Sequence, residues 1–392
     1  MRNAIRRSRF RNASYQIVPT LQVYPPGSCL VNTGCLINGE SSANSFPTLI
    51  NTGRHSRKTN FFAGILKDVA SGELQFIHNL RKRAGRPGGV VRLGIGDDCA
   101  VLRPPKGHDV LVTTDLSLEG RHFRRDWHPA ASAGHRCLAR GLSDLAAMGA
   151  HPMAAFLSLA LPAGFTRRAA NRTWLDGFLG GLLHLAKQTK TPLAGGDTST
   201  APGDAILADI VLLGSVPAGN ELRRSKARPG DSLYVTGHLG GASAELAALA
   251  KSPRSFRKAS PDADHPHLYP QPQLRIGQRL RSLASAAIDI SDGLSTDLTH
   301  LCEESRVGAV VEVDSLPLHP LLKTKEDALR HALHGGEDYQ LLFTAPATSK
   351  IPRSIGGTPI TRIGEIVRGK DISLRSNGKA EQLQPAGWEH SL

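Results

Sequence analysis

The stretch Ala286-Ala287-Ile288-Asp289-Ile290-Ser291-Asp292-Gly293-Leu294-Ser295-Thr296-Asp297-Leu298 reads as a short apolar strand over Ala286–Ile290, an acidic turn, and a helix over Asp292–Glu304. Outward from it, from Gly72 onward, short apolar strands alternate with Ala- and Leu-rich helical stretches. Strands are expected over Asp109–Thr114, Met153–Leu161, Thr191–Ala194, Ala205–Val216, Ser232–Thr236, Ala309–Val313, Tyr339–Thr344 and Pro359–Ile366. Helices are expected over Ala131–Met148, Arg167–Gln188, Ala242–Ala250, Leu274–Leu283 and Lys325–Leu333. This is a mixed α/β (α+β) pattern. At 392 residues the chain is too long for one ordinary core. The polar, basic stretch Pro217–Asp231 precedes a fresh strand and marks a boundary. The division is then an extension over 1–71, an N-terminal domain over 72–217 and a C-terminal domain over 218–392. Residues 251–273, rich in Pro, Ser, His and Lys, are expected to form a surface excursion.

The association of carboxylates with glycine or with strand ends recurs along the chain. It is found in Gly94-Ile95-Gly96-Asp97-Asp98, Thr113-Thr114-Asp115, Ser143-Asp144, Gly195-Gly196-Asp197-Thr198 and Gly335-Gly336-Glu337-Asp338. Most of these clusters are expected in turns. Hard oxygen ligands are what Mg²⁺ requires, usually one or two carboxylates joined to substrate phosphates. Glycine beside a carboxylate lets the main chain bend tightly and present N–H groups to a phosphate. A single Gly-Gly-Asp is an ordinary turn. Six acidic clusters in one basic chain shift the balance toward metal binding, and the same combination suits nucleotides. There is no GxxxxGK[ST] loop, no protein-kinase motif set and no HExxH, and the GxGxxG at Gly94–Asp98 is incomplete.

Hydrophobic residues at 40% and charged residues at 21% are ordinary for a globular protein. The most apolar stretches, such as Met153–Leu161 and Ile206–Val216, have strand length and fall short of a membrane helix. A soluble, cytoplasmic protein is expected. Cys29, Cys35, Cys99, Cys137 and Cys302 are scattered without CxxC spacing, so neither a disulfide framework nor a zinc site is indicated. The net charge is +14, and half of it lies in residues 1–71, where nine basic residues face only Glu40 and Asp68. A disordered tail, an over-extended gene start, a targeting segment and an arm for an anionic partner all fit that composition.

In their order along the chain, GIGDDCAVL (94–102), LVTTDLSLEGRHF (111–123), GLSDLAAMGAHP (141–152), LAGGDTS (193–199), AIDISDGLSTDL (287–298) and LHGGEDYQLLF (333–343) resemble the thiamine-monophosphate kinase family. The resemblance runs from about Gly72 to Trp388. It implies the two-domain fold of the aminoimidazole ribonucleotide synthetase superfamily, with N-terminal-domain strands forming a barrel in a homodimer and a C-terminal α/β domain. It implies Asp98, Thr113, Thr114, Asp115, Asp144, Asp197 and Asp289 as ligands of several Mg²⁺ ions, Asp292 as the holder of a further ion, and Asp97 as a support for its neighbour. Gly196, Asp197, Arg224 and Ser291 are implied as ATP contacts, and His122, Glu337 and Trp388 as contacts to thiamine monophosphate. Without the motif context, His122 reads as a surface-loop histidine, Trp388 as a core-capping aromatic and Arg224 as one of several solvated charges.

A rival reading is another enzyme of the same superfamily, such as a selenophosphate synthetase or a purine-pathway ligase. The first would favour a reactive cysteine ahead of the first Gly-Asp motif, and Cys29 and Cys35 lack that context. From a different class, a nucleic-acid-binding protein would place its basic surplus in the folded part. Residues 72–392 carry only 39 basic against 32 acidic residues. Neither a nucleic acid nor a membrane is expected as a partner.

Overall fold

The computed structural model describes residues 73–389 other than Leu74, Pro87 and Lys323. The readings of residues 1–71, with Cys29 and Cys35, lie outside the described residues. A helix over 75–84 (α1) opens the described chain. There follow β1 (Val91–Leu93), β2 (Val101–Leu102), β3 (His108–Leu118), α2 (Ala130–Ala147), β4 (His151–Leu161), α3 (Ala169–Thr189), β5 (Leu193–Thr200) and β6 (Leu207–Pro217). The remaining elements are β7 (Asp231–Thr236), α4 (Gly241–Lys251), α5 (Leu274–Leu280), β8 (Ala286–Asp289), α6 (Leu294–Ser305), β9 (Gly308–Glu312), α7 (Lys325–His334), β10 (Leu341–Pro346), β11 (Ser354–Ile355), β12 (Thr358–Val367), β13 (Ile372–Ser376) and β14 (Lys379–Gln382).

Two sheets carry the fold. The first has the order β3-β6-β4-β5, with β4 and β5 parallel and the other pairs antiparallel. The second runs β14-β13-β9-β12-β7-β10-β8, with β11 on β12. Alternation along β6 sends Ala208, Ile210 and Leu212 inward against α2. α2 is the hub of the molecule, with 14 of its 18 residues buried. It packs on the first sheet, on α3, on α5 and on β8.

Small residues permit that density. A Cβ at Gly134 would sit 1.8 Å from the Phe178 carbonyl oxygen, and one at Gly277 would sit 1.8 Å from that of Ala146. The backbones of α3 and α5 therefore reach α2 only because these positions lack side chains.

Two expectations need correction. Asp115 and Asp197 are not in turns but inside β3 and β5, which run past the expected strand ends, while Asp144 lies in α2 and Asp289 ends β8, in the helix and strand expected there; a regular backbone holds a carboxylate more firmly than a loop would. Residues 251–273 are not a surface excursion throughout, because His267, Leu268 and Tyr269 are buried. Their burial is secured by polar contacts, as described below.

Candidate active site

Arg136, Arg140 and Asp144 are spaced four apart on α2 and so share one face of the helix. Each finds a partner on a different element. Thr113 Oγ1 of β3 donates to Asp144 Oδ2 at 2.5 Å. Arg140 pairs with Asp115 of β3 at 2.7 Å and also donates to the Leu116 carbonyl at 3.1 Å. Arg136 Nη2 donates to Glu337 Oε1 at 2.6 Å and to the His122 carbonyl at 3.1 Å.

The second sheet supplies the opposite wall. β8 ends at Asp289, whose Oδ2 accepts from Ser143 Oγ of α2 at 2.7 Å. Beyond it the chain turns sharply into α6, and Asp297 holds the turn. Its Oδ2 accepts the backbone N–H groups of Ser291, Asp292 and Gly293 at 3.1, 3.0 and 3.0 Å. Gly293 has φ +114 and a Cβ there would crowd His334, so glycine is required at the turn. Glu337 donates its N–H to the Ser291 carbonyl, and Trp388 donates its N–H to the Asp292 carbonyl. The turn thereby gathers both residues.

An open cavity of about 390 Å³ results, lined by Thr114, Asp115, His122, Asp144, Asp289, Ser291, Asp292, Glu337 and Trp388, together with Arg121, Arg140 and Tyr339. Nine of the residues expected from the sequence thus converge on one space. Thr113, Asp98, Gly196, Asp197 and Arg224 do not line it. Thr113 reaches it through Asp144. Asp98 is exposed ahead of β2, with its N–H donated to Asp97 Oδ1 at 2.9 Å. Gly196 and Asp197 lie in β5, where a Cβ on Gly196 would strike the Leu157 carbonyl oxygen at 1.9 Å. Arg224 opens a short 3₁₀ turn, and its charge still reaches Asp144 and Asp289.

The electrostatics of the cavity are those of crowded anions. Burial pushes the Asp289 carboxyl up to about 7, and neighbouring Asp144 adds to the rise. Burial likewise pushes Asp115 up to about 6, against the pull of Arg140. Asp144 is raised by burial, opposed by the Thr113 hydroxyl and Arg224. Glu337 differs: burial pushes it up, but Arg136 and His267 outweigh that and hold it well below the usual carboxylate range. Asp115, Asp144 and Asp289 are therefore short of positive charge, whereas Glu337 is a firmly ionised carboxylate.

Asp115, Asp144, Asp289 and Thr113 offer hard oxygen donors of the kind Mg²⁺ takes. Among the described residues no three His, Cys, Asp or Glu side chains are grouped so as to hold a metal by themselves. Reading the sequence missed Arg136, Arg140 and Tyr339. The i, i+4, i+8 spacing of two arginines with Asp144 was the clue to the first two.

Family models described as AIR synthase related protein, N-terminal domain, and AIR synthase related protein, C-terminal domain, match residues 96–216 and 228–377. The thiamine-monophosphate kinase of Salmonella typhimurium is 41% identical over 333 residues, covering 82% of this chain and 99% of that protein. The chain belongs to the thiamine-monophosphate kinase family. The Escherichia coli K12 member is 38% identical over the same shares of the two chains. Among solved structures, the thiamine-monophosphate kinase of Stenotrophomonas maltophilia K279a superposes with a TM-score of 0.67 at 36% identity, covering 79% of this chain and 98% of that one. AaThiL complexed with AMPPCP and TMP gives a TM-score of 0.63 at 28% identity, covering 87% of this chain and 100% of that one. The mixed α/β, two-domain architecture of the family is the one described above.

Proposed function

We infer that this chain transfers the γ-phosphoryl group of ATP to thiamine monophosphate, giving thiamine diphosphate. The observation that carries the reading is one cavity lined by two unlike groups of side chains. Asp115, Asp144 and Asp289 lie within electrostatic reach of one another, and His122, Glu337 and Trp388 line the same cavity. The first suits phosphates bridged by cations, and the second suits a cationic heteroaromatic ring. Trp388 is half exposed and can stack on such a ring, a contact worth roughly 0.5–2 kcal/mol.

The acceptor is a phosphate monoester, ionised at neutral pH, so its oxygen attacks without a general base. What opposes the reaction is repulsion between that anion and the ATP γ-phosphate. Mg²⁺ held by these carboxylates would supply positive charge against the negative charge gathered on the phosphate oxygens in the transition state. We assign its coordination to Asp115, Asp144 and Asp289 with Thr113 and Thr114 beside them and Asp98 and Asp197 at the periphery, and we assign a further ion to Asp292, which lines the cavity. Gly196, Asp197, Arg224 and Ser291 are assigned to ATP. Transfer is direct and in line, with no phosphoenzyme. Among the described residues, Cys99, Cys137 and Cys302 are free thiols, and no helix is long and apolar enough to cross a membrane.

Asp144→Asn tests the assignment. It keeps the side-chain shape and removes the charge, and kcat is expected to fall by about 10²–10³-fold while the KM for thiamine monophosphate changes little. An Asp144→Asn enzyme with wild-type kcat would remove these carboxylates from the reaction.

A further inference from the structure

The segment 265–270 is bolted to α2 although its composition is that of a surface loop. Ser132 Oγ donates to the Leu268 carbonyl at 2.8 Å, His135 Nε2 bonds the Pro270 carbonyl at 2.8 Å, and Arg136 Nη1 donates to the His267 carbonyl at 2.6 Å. From α4, Glu245 accepts the N–H groups of His267 and Leu268 at 2.8 and 3.1 Å and pairs with His265 at 2.6 Å. The result is that His267, only 1% exposed, points its Nδ1 at Glu337 Oε2, 3.2 Å away.

We propose that Arg136 and His267 form a brace that fixes the Glu337 carboxylate toward the thiamine end of the cavity, making both positioning residues for the acceptor. The proposal rests on the reading of Glu337 as an acceptor contact.

Both carboxylate oxygens are held. Arg136 takes Oε1 and His267 takes Oε2, so the carboxylate plane has little freedom to turn. The two rings meet as well, with His128 Nε2 3.1 Å from His267 Nε2, and Arg136 Nη1 lies 3.1 Å from His267 Nδ1. With its proton on Nδ1, His267 donates to Glu337 Oε2; with the proton on Nε2, Nδ1 instead accepts from Arg136. The brace is the first of these two states. Burial lowers the pKa of both rings.

Two further facts bear on position. The Arg136 guanidinium also donates to the His122 carbonyl, so one buried side chain ties down both acceptor contacts. Glu337 itself has φ +70, a conformation non-glycine residues seldom adopt, and its side chain direction is set by a backbone the surroundings must enforce. Buried Arg136 alone would satisfy the charge of Glu337. His267 adds direction.

The test compares wild type, His267→Leu, His267→Asn, Arg136→Lys and Glu337→Gln, measuring kcat and separate KM values for thiamine monophosphate and ATP, with thermal midpoints. Calorimetric binding of thiamine monophosphate without ATP gives a second readout. Loss of one hydrogen bond to a charged group predicts a rise of about tenfold in the KM and Kd for thiamine monophosphate in His267→Leu. Glu337→Gln and Arg136→Lys should rise at least as much. His267→Asn, which keeps a donor near Nδ1, should recover most of the loss, and the KM for ATP should stay within about twofold throughout.

A His267→Leu enzyme with unchanged KM and Kd for thiamine monophosphate, alongside a raised value in Glu337→Gln, overturns the brace. So do parallel rises for ATP and thiamine monophosphate with a lowered midpoint, which would mark a purely structural histidine. An unchanged Glu337→Gln removes the contact on which the brace depends. Absence of thiamine-monophosphate turnover in wild type refutes the proposed function, a result that no variant can mimic.

Discussion

Asp289 lies at the point where burial and like charge work together. Its carboxyl is buried, faces Asp144 and is pushed up to about 7, against about 6 for Asp115. Without a cation, the folded state therefore binds more protons than the unfolded chain between the ordinary aspartate value of 3.8 and about 7. Through these groups, stability falls as pH rises across that window. Divalent cations oppose the loss, because they bind the ionised carboxylates and compete with protons. MgCl₂ is thus expected to raise the thermal midpoint more at pH 8 than at pH 6, and Asp289→Asn is expected to flatten the difference. Equal shifts at both pH values would contradict the electrostatic account of these carboxylates. Arg140 enters the same balance, since it pairs with Asp115.

Two elements organise the site, and they are unequally legible in the sequence. The turn from β8 into α6 is plain in Asp289-Ile290-Ser291-Asp292-Gly293, because an apolar strand that closes on acids and a glycine marks a tight bend. The three N–H groups gathered by Asp297 are its lock. Asp297→Ala leaves three poorly solvated donors without a partner and should cost about 3 kcal/mol or more, seen as a lowered thermal midpoint together with weakened ATP binding. A midpoint within a degree of wild type would show that the turn holds without it.

α2 is legible as a helix, but its role as hub is not, because burial on all sides does not show in periodicity. Residues 251–273 mislead for a related reason. The partners that bury His267 are Arg136, 131 positions away, and Glu245 on α4, and such polar pairs leave no hydrophobic pattern. The hairpin β13–β14 escapes a reading by strand pattern, although Asn377-Gly378, with φ values of +52 and +76, is a strong turn pair. Its strands are short and mostly polar, which hides the alternation.

At the scale of the molecule, β3 stands at an edge of the first sheet, and its outward residues Val110, Val112 and Leu116 are 45%, 63% and 43% exposed. An apolar edge strand of eleven residues is a surface that soluble proteins ordinarily cover. We propose that a second copy covers it, as the family resemblance implies. Val112→Asp should then weaken the dimer by more than about tenfold, read by light scattering across a dilution series. A wild-type protein that is monomeric at high concentration would contradict this. The same scale carries the central claim, that the cavity between the two sheets passes a phosphoryl group to thiamine monophosphate. The most direct measurement supplies purified protein with MgCl₂ and γ-labelled ATP, and offers thiamine monophosphate, free thiamine, aminoimidazole-pathway precursors and selenide in parallel. The account predicts label in thiamine diphosphate and turnover with thiamine monophosphate alone. Turnover with another acceptor, and none with thiamine monophosphate, would contradict it.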